Sequence, residues 1–286
     1  MRNIQASRIT EEVARLCIKA NTDLNQPVEE AIRAARQTEE SPVGCEILDQ
    51  LLENAALARA EHLPICQDTG LAVVFVEIGQ DVHIEGNLEE AINEGVRRGY
   101  TEGYLRKSVV RDPIDRVNTK DNTPAIIHYE IVPGEEVKIT VAPKGIGSEN
   151  MSRIYMLKPA QGIEGIEEAV LETVRLAGPN ACPPLVIGVG VGGNFEKCAY
   201  IAKKALLRPV GEHAKDPFWA EEEKTLLEKV NRLGIGPQGF GGTTTALWLA
   251  IETYPTHIGG MPVAININCH VARHETVVIK EEEVAR

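Results

Sequence analysis

The chain has 286 residues, 42 acidic against 30 basic side chains, a formal net charge of −12, and 43% apolar but only 4% aromatic content. It is long enough to bury a substantial core, and the acidic balance argues against a nucleic-acid backbone as partner, which calls for a basic excess. No apolar run reaches the roughly 20 residues that span a bilayer, and the opening MRNIQASRITEEV lacks the apolar core of a secretory leader, so the expected location is the cytoplasm.

The first sixty residues read as helices. Thr10 is a candidate N-cap ahead of Glu11 and Glu12, with Val13, Leu16, Cys17 and Ala20 on one face. Pro27 opens a second helix and Ser41-Pro42 a third, which continues through CEILDQLLENAALARAEH. From Leu63 the pattern changes: PICQDTG breaks the apolar run, and LAVVFVEIG follows as a buried strand. NLEEAINEGVRRGYTEGYL reads as a helix, AIIHYEIV and VKITVAP as strands joined by the turn Pro133-Gly134, and KGIGSEN as a glycine-rich turn. A helix around IEGIEEAVLETVRLAG precedes the strand PPLVIGVGVGGN, which runs into the helix NFEKCAYIAKKALL, stopped by Pro209. GIGPQGFGGTTTALWLAIE is expected to repeat this glycine-loop-into-helix plan, and MPVAININCHVARH is a last strand. No linker or repeat interrupts the chain. We therefore expect one mixed α/β (α+β) domain over 1–286, with a helical part of about 1–62 packed on a sheet-containing catalytic unit whose glycines lie where strands meet helices.

Gly188, Gly190, Gly192 and Gly193 satisfy GxGxxG after a strand and before a helix, the setting of a dinucleotide fingerprint. The continuation GEHAKDPFW offers no second parallel strand ending in an acidic residue, which counts against a nicotinamide enzyme. Two uses of the glycine loops remain open: tight turns and close helix–strand packing, or backbone N–H groups at Asn194 and Thr243 to Thr245 directed at an anion.

Six cysteines contain no CxxC pair, which excludes zinc ribbons and ferredoxin runs. Cys17 and Cys45 lie on apolar helical stripes and Cys198 lies mid-helix, so all three read as core. Cys66, Cys182 and Cys269 stand instead at element ends among polar residues, glycine and proline. They are either unrelated thiols or the thiolates of a [4Fe–4S] cube left one ligand short, whose open iron can act as a Lewis acid.

Seven blocks in order, PICQDTG, LRKSVVRDP, KGIGSEN, ACPP, GVGGNFEKCAYIAKKALLRP, GPQGFGGTTTALWLAIE and PTHIGGMPVAININCHVARH, resemble the α-type catalytic domain of class I fumarases and L-tartrate dehydratases over nearly the whole chain. The resemblance implies a [4Fe–4S] cluster held by Cys66, Cys182 and Cys269 with one open iron. It implies Gln67 and Asp68 facing substrate, with Asp68 as a proton-transfer group, Arg106 clamping a carboxylate, and Gly145 and Gly147 approaching substrate through their backbone. His257 matches a histidine at the substrate pocket. Because no block resembles the second domain of single-chain relatives, the expected partner is a separate β subunit in an α2β2 enzyme.

The implied reaction is reversible hydration of fumarate to (S)-malate, with L(+)-tartrate dehydration as the alternative. An NAD-dependent oxidoreductase and a non-catalytic scaffold subunit are the rivals from other classes.

Overall fold

The computed structural model describes residues 2–280. β1 (Arg2–Gln5) leads into α1 (Ala6–Thr22), α2 (Gln26–Thr38) and α3 (Pro42–Glu61). β2 (Leu71–Gly79), β3 (Val82–Glu85), α4 (Leu88–Glu102), β4 (Ile126–Val132) and β5 (Val137–Lys144) follow. Next come the single turn α5 (Ile146–Glu149), β6 (Arg153–Leu157) and α6 (Gly162–Ala177). Then β7 (Leu185–Gly192), α7 (Phe195–Ala205), α8 (Pro217–Asn231), β8 (Ala246–Tyr254), β9 (Met261–Asn268) and β10 (Glu275–Ile279) complete the mixed α/β set. These elements form two compact units, one from residues up to 24, 57–144 and 273 onward, the other from 25–56 and 145–272.

The first unit is a four-stranded sheet in the order β10-β5-β2-β4, with a separate parallel pair β1-β3. β2 is the predicted buried strand, and its Ala72, Val74 and Val76 pack with Val13, Leu16 and Cys17 of α1 and Ile92, Val96 and Tyr100 of α4. The turn Pro133-Gly134 does join β4 to β5, but the two do not pair: β4 runs parallel to β2 on one side and β5 antiparallel on the other. Thr10 caps nothing. The α1 helix begins four residues earlier, and the Thr10 hydroxyl donates 3.0 Å to Ala91 O inside the unit.

The second unit is built on the sheet β6-β9-β7-β8. Leu185, Ile187 and Val189 of β7 pack against α6 and α8 through Val170, Val174, Leu226 and Val230. Alternation along the strand turns Gly188 and Gly190 to the other face, against α7. A Cβ on Gly190 would overlap Cys198 O and reach within 2.6 Å of Ala202 N. The GxGxxG segment is therefore mostly strand, and these two glycines serve close helix–strand packing. Residues 246–254 form strand β8 and not the expected helix. The reason is physical: ALWLAI is a short unbroken apolar run, buried throughout, beside parallel partner β7, and such a run is a doubly covered strand.

β8 is an edge strand, and its middle is plugged. Glu223, 1% exposed, accepts the Ile251 N–H at 2.8 Å and pairs with Arg208, whose Nη2 donates 2.7 Å to Ile251 O. The N–H of Ala214 and the ring of His213 fill the other Glu223 oxygen at 2.9 Å each, so a buried charge is fully satisfied. Helix α8 and strands β1, β3, β6 and β10 were not foreseen from the pattern. No helix among the described residues is long and apolar enough to cross a membrane.

Candidate active site

In the first unit the PICQDTG block forms a bend between α3 and β2, held almost atom by atom. Asp68 N–H points to Cys66 Sγ at 3.4 Å, and the Asp68 carboxylate accepts Gly70 N–H at 3.0 Å. The three carbonyls that follow are each taken by a side chain from elsewhere. Arg273 Nη2 donates to Asp68 O; the Tyr100 hydroxyl lies 2.7 Å from Thr69 O and 3.1 Å from Gly70 O; Asn122 Nδ2 donates to Gly70 O at 3.2 Å. Gly70 sits at φ +76 where a Cβ would meet the Lys144 backbone at 2.7 Å, so only glycine lets the bend enter β2 here.

The same bend carries the second predicted segment. Thr69 Oγ1 accepts Arg106 N–H at 2.9 Å and donates to Arg106 O at 3.1 Å. Asn122 Oδ1 accepts Ser108 N–H at 2.7 Å and Val109 N–H at 3.2 Å. Arg106 itself is exposed and its guanidinium makes no ion pair among the described residues. Gln67 is exposed, and Asp68 and Cys66 are half-buried. Beneath them, Tyr100 is fully enclosed and burial pushes its phenol well above the ordinary range. Arg273 is 4% exposed, and its Nε and Nη1 have no partner among the described residues.

In the second unit, Cys182 and Cys269 come to the same end of the sheet. Cys182 ends a 3₁₀ turn (Gly178–Ala181), is exposed, and takes a left-handed conformation at φ +53. Cys269 follows β9 directly. His270 Nδ1, next to it, donates to Cys182 O at 3.2 Å, and Gln238 of the GPQGF loop reaches both His270, at 3.4 Å, and Pro183 O, at 2.8 Å. The KGIGSEN block is fastened nearby. Glu149 accepts from Lys203 and from Asn266 of β9, and Asn266 also donates to Ser152 at 2.9 Å. Gly145 caps the single turn α5, and Gly147 faces Asn180 O across a gap that a methyl would fill at 3.7 Å.

His257 is elsewhere. It lies exposed in the β8–β9 connection, where Gly259 N–H donates to its Nδ1 at 3.1 Å and the neighbouring Thr256 holds Gly193 O at 2.9 Å. Cys269 is at the far end of β9, eight residues long, which at about 3.3 Å per residue is roughly 25 Å away.

The remaining cysteines separate cleanly. Cys17 and Cys198 are fully buried; burial pushes the Cys17 thiol up to about 12 and raises that of Cys198. Such thiols are poor metal ligands, because the thiolate binds. Cys45 is half-buried and its thiol donates to Glu39 O at 3.3 Å. Among the described residues no three His, Cys, Asp or Glu side chains are grouped as a ready metal site.

The backbone N–H groups of the GGTTT loop do meet an anion, but it is the chain's own. Glu39 accepts Ser41 N–H at 2.9 Å, Thr243 N–H at 2.9 Å and Thr244 N–H at 2.8 Å. Thr245 and Ala246 donate instead to Asn231 Oδ1. Asn194 is used as the N-cap of α7, accepting from Lys197 N. Burial pushes the Glu39 carboxyl up, but the donors of Ser41, Thr243 and Thr244 together outweigh it and hold its pKa below the ordinary carboxylate value. A carboxylate lowered in the folded state stabilises fully above its unfolded pKa, and that contribution is lost as pH falls through the folded one. Glu39→Gln is thus expected to cost about 1–3 kcal/mol near neutral pH. The gap to the unsubstituted protein should close in acid, which urea midpoints measured across that range will read.

The site residues missed by sequence reasoning are the supports: Thr69, Asn122, Tyr100 and Arg273 in the first unit, Gln238 and His270 in the second. Their signal was weak, a buried polar residue inside or just outside a motif.

The motif loops of this mixed α/β chain carry a half-buried carboxylate at Asp68, an exposed arginine at Arg106 and half-buried or exposed thiols at Cys66, Cys182 and Cys269, and the family and relatives that the chain matches make it an enzyme of the hydro-lyase type. The chain belongs to the fumarate hydratase (Fumerase) family, whose model matches residues 10–278. A protein of Methanocaldococcus jannaschii, provisionally named as an L(+)-tartrate dehydratase subunit alpha, is 41% identical over 280 residues, covering 96% of this chain and 98% of its own. The L(+)-tartrate dehydratase subunit alpha of Escherichia coli O157:H7 is 32% identical over 277 residues, 96% of this chain and 91% of its own, and that of strain K12 is 31% identical over the same length.

Proposed function

We propose that the chain is the α subunit of an iron–sulfur hydro-lyase that removes water from L(+)-tartrate, completed by a β subunit in a cytoplasmic α2β2 enzyme. The observation that carries this choice is the tartrate dehydratase name shared by relatives aligned over nearly the full chain. It reverses the order expected from the motifs, in which hydration of fumarate to (S)-malate stood first; the family description supports that as the second reading.

Both units would act as one catalytic domain. The donor set fits the cluster: of six cysteines, Cys17 and Cys198 are sealed and the half-buried Cys45 gives its thiol to Glu39 O from within α3, whereas Cys66, Cys182 and Cys269 sit half-buried or exposed at loop ends. The N–H of Asp68 on Cys66 Sγ and the buried, incompletely paired Arg273 cation on that same bend suit a negatively charged group held there. Bound by the three thiolates, a [4Fe–4S] cluster supplies an iron with an open position, a Lewis acid that assists departure of a hydroxide.

The chain's own residues do the rest. Arg106, projecting from a segment fixed to the Asp68 bend, takes one substrate carboxylate in a bidentate pair and so sets the diacid's direction. Asp68, its carboxylate steadied by Gly70 N–H, takes the proton from the carbon beside that carboxylate. Gln67 offers its exposed amide to a substrate oxygen, and Gly145 and Gly147 let the backbone approach closely. Loss of water from tartrate leaves an enol that becomes a keto diacid. His257, at the other end of its sheet, is left outside this set.

The test is anaerobic reconstitution of the chain with its β subunit, iron and sulfide, followed by kcat/KM for L(+)-tartrate, fumarate and (S)-malate. A preference for tartrate of tenfold or more is expected. Preference for fumarate and malate returns the assignment to fumarase, and turnover of none of the three removes the hydro-lyase reading of this chain.

A further inference from the structure

We infer that Thr69 and Asn122 are positioning residues that fix Arg106 in register with Asp68. This rests on the hydro-lyase reading only for what Arg106 and Asp68 then do.

Residues 105–109 belong to no helix or strand, so no ladder of hydrogen bonds sets where Arg106 starts; the flanking backbone ties are Leu105 N–H to Tyr100 O at 3.1 Å and Thr119 N–H to Val109 O at 2.9 Å. Asn118 Nδ2 donates to Lys107 O at 2.9 Å, and two other side chains link the segment to the Asp68 bend. The Thr69 hydroxyl takes both the N–H and the C=O of Arg106, doing with one side chain what a strand partner does with its backbone. The Asn122 amide oxygen then takes the N–H groups of Ser108 and Val109, and its NH₂ returns to Gly70 O at the end of the Asp68 bend. The two ties are therefore separate links between the same two segments.

Burial sharpens the point. Thr69 is 1% exposed and Asn122 0%. Asn122 also holds the left-handed backbone at φ +63, a region asparagine tolerates better than most residues. Buried polar groups this fully satisfied specify one arrangement, because any slip leaves several donors bare at once. What they specify is the origin of a side chain that is exposed and in no ion pair among the described residues, and hence placed to meet an anion. For a clamp of that kind a displacement of about 1 Å costs on the order of 10²-fold in rate.

The experiment compares Thr69→Val, which keeps shape and removes both hydrogen bonds between the Thr69 hydroxyl and Arg106, with Thr69→Ser, which keeps the hydroxyl. Asn122→Asp is the second variant, retaining the acceptor for Ser108 and Val109 but losing the donor to Gly70. In the full-length chain, amide hydrogen exchange at Arg106 is expected to quicken tenfold or more in Thr69→Val and to stay near normal in Thr69→Ser. In the reconstituted pair, kcat/KM is expected to fall 10- to 100-fold in Thr69→Val and Asn122→Asp and to be restored in Thr69→Ser. Binding of succinate, a diacid with no hydroxyl to lose, should weaken in parallel.

Unchanged exchange at Arg106 overturns the tie itself. Faster exchange with unaltered kcat/KM and succinate binding overturns the positioning role, as does a loss that Thr69→Ser fails to restore and that merely tracks a lower melting temperature. If the unsubstituted pair turns over no hydroxy-diacid, the hydro-lyase reading has failed, and succinate binding and exchange still decide the role of Thr69.

Discussion

Replacing Cys66 with alanine is expected to abolish turnover while leaving the chain folded. Cys66 is half-buried in a loop, and its Sγ contributes one acceptor, for Asp68 N–H, so little packing is lost with it. If it is one of three thiolates, however, its loss removes a Lewis acid worth several kcal/mol of transition-state stabilisation, which is about 10³-fold or more in rate. The measurement is kcat with iron and acid-labile sulfide content on the same samples, and far-ultraviolet dichroism as the folding control. Cys17→Ala gives the converse pattern: a fully buried thiol lost from the first unit's core, about 1 kcal/mol of stability gone, metal content intact. A Cys66→Ala protein that retains a full cluster and normal turnover would remove the thiolate assignment.

The second large effect concerns stability. Gly190→Ala is expected to destabilise by about 3 kcal/mol or more, since overpacking that opposes backbone cannot be relieved by a rotamer change. The added methyl would overlap Cys198 O and crowd Ala202 N, so α7 has to lift off β7 or the strand has to bend. Gly147→Ala is the contrast. Its nearest neighbour would be Asn180 O at 3.7 Å, ordinary contact, and the melting temperature should hold. Because Gly147 is proposed to approach substrate, kcat/KM should fall even so. Denaturant midpoints for both, with kinetics for the second, check the pair.

The contrast between these glycines indicates what was readable from the chain. Local signals sufficed wherever an element makes its own case. LAVVFVEIG is a strand because its apolar run is short and β-branched, and NLEEAINEGVRRGYTE is a helix with Asn87 as its cap. The α2 and α3 helices start where Pro27 and Ser41-Pro42 said they would. Reading failed where tertiary pairing decides. ALWLAIE is ambiguous until β7 lies beside it. β4 and β5 look like a hairpin across Pro133-Gly134 until β2 is found between them. The strands β1, β3, β6 and β10 are short or half-exposed and carry little period of their own.

The candidate site divides in the same way. Residues proposed to touch substrate or metal, Cys66, Gln67, Asp68 and Arg106, stand in dense motifs that single them out. Residues that hold them, such as Asn122 through Gly70 and Arg273 through Asp68, act across long sequence separations. Nothing in a linear pattern distinguishes such a side chain from one facing water. The Thr243 to Thr245 amides were legible as anion-seeking, but their partner, Glu39, is some two hundred residues away in sequence.

The plug on β8 has one further consequence, for how this chain can join others. An unprotected rim of a sheet invites a foreign strand to zip alongside it. With the Ile251 amide and carbonyl already engaged by Glu223 and Arg208, a visiting strand would run out of bonding positions halfway along. Association on that flank must proceed through side-chain surfaces, which are set by shape and charge and leave each sheet closed in its own chain.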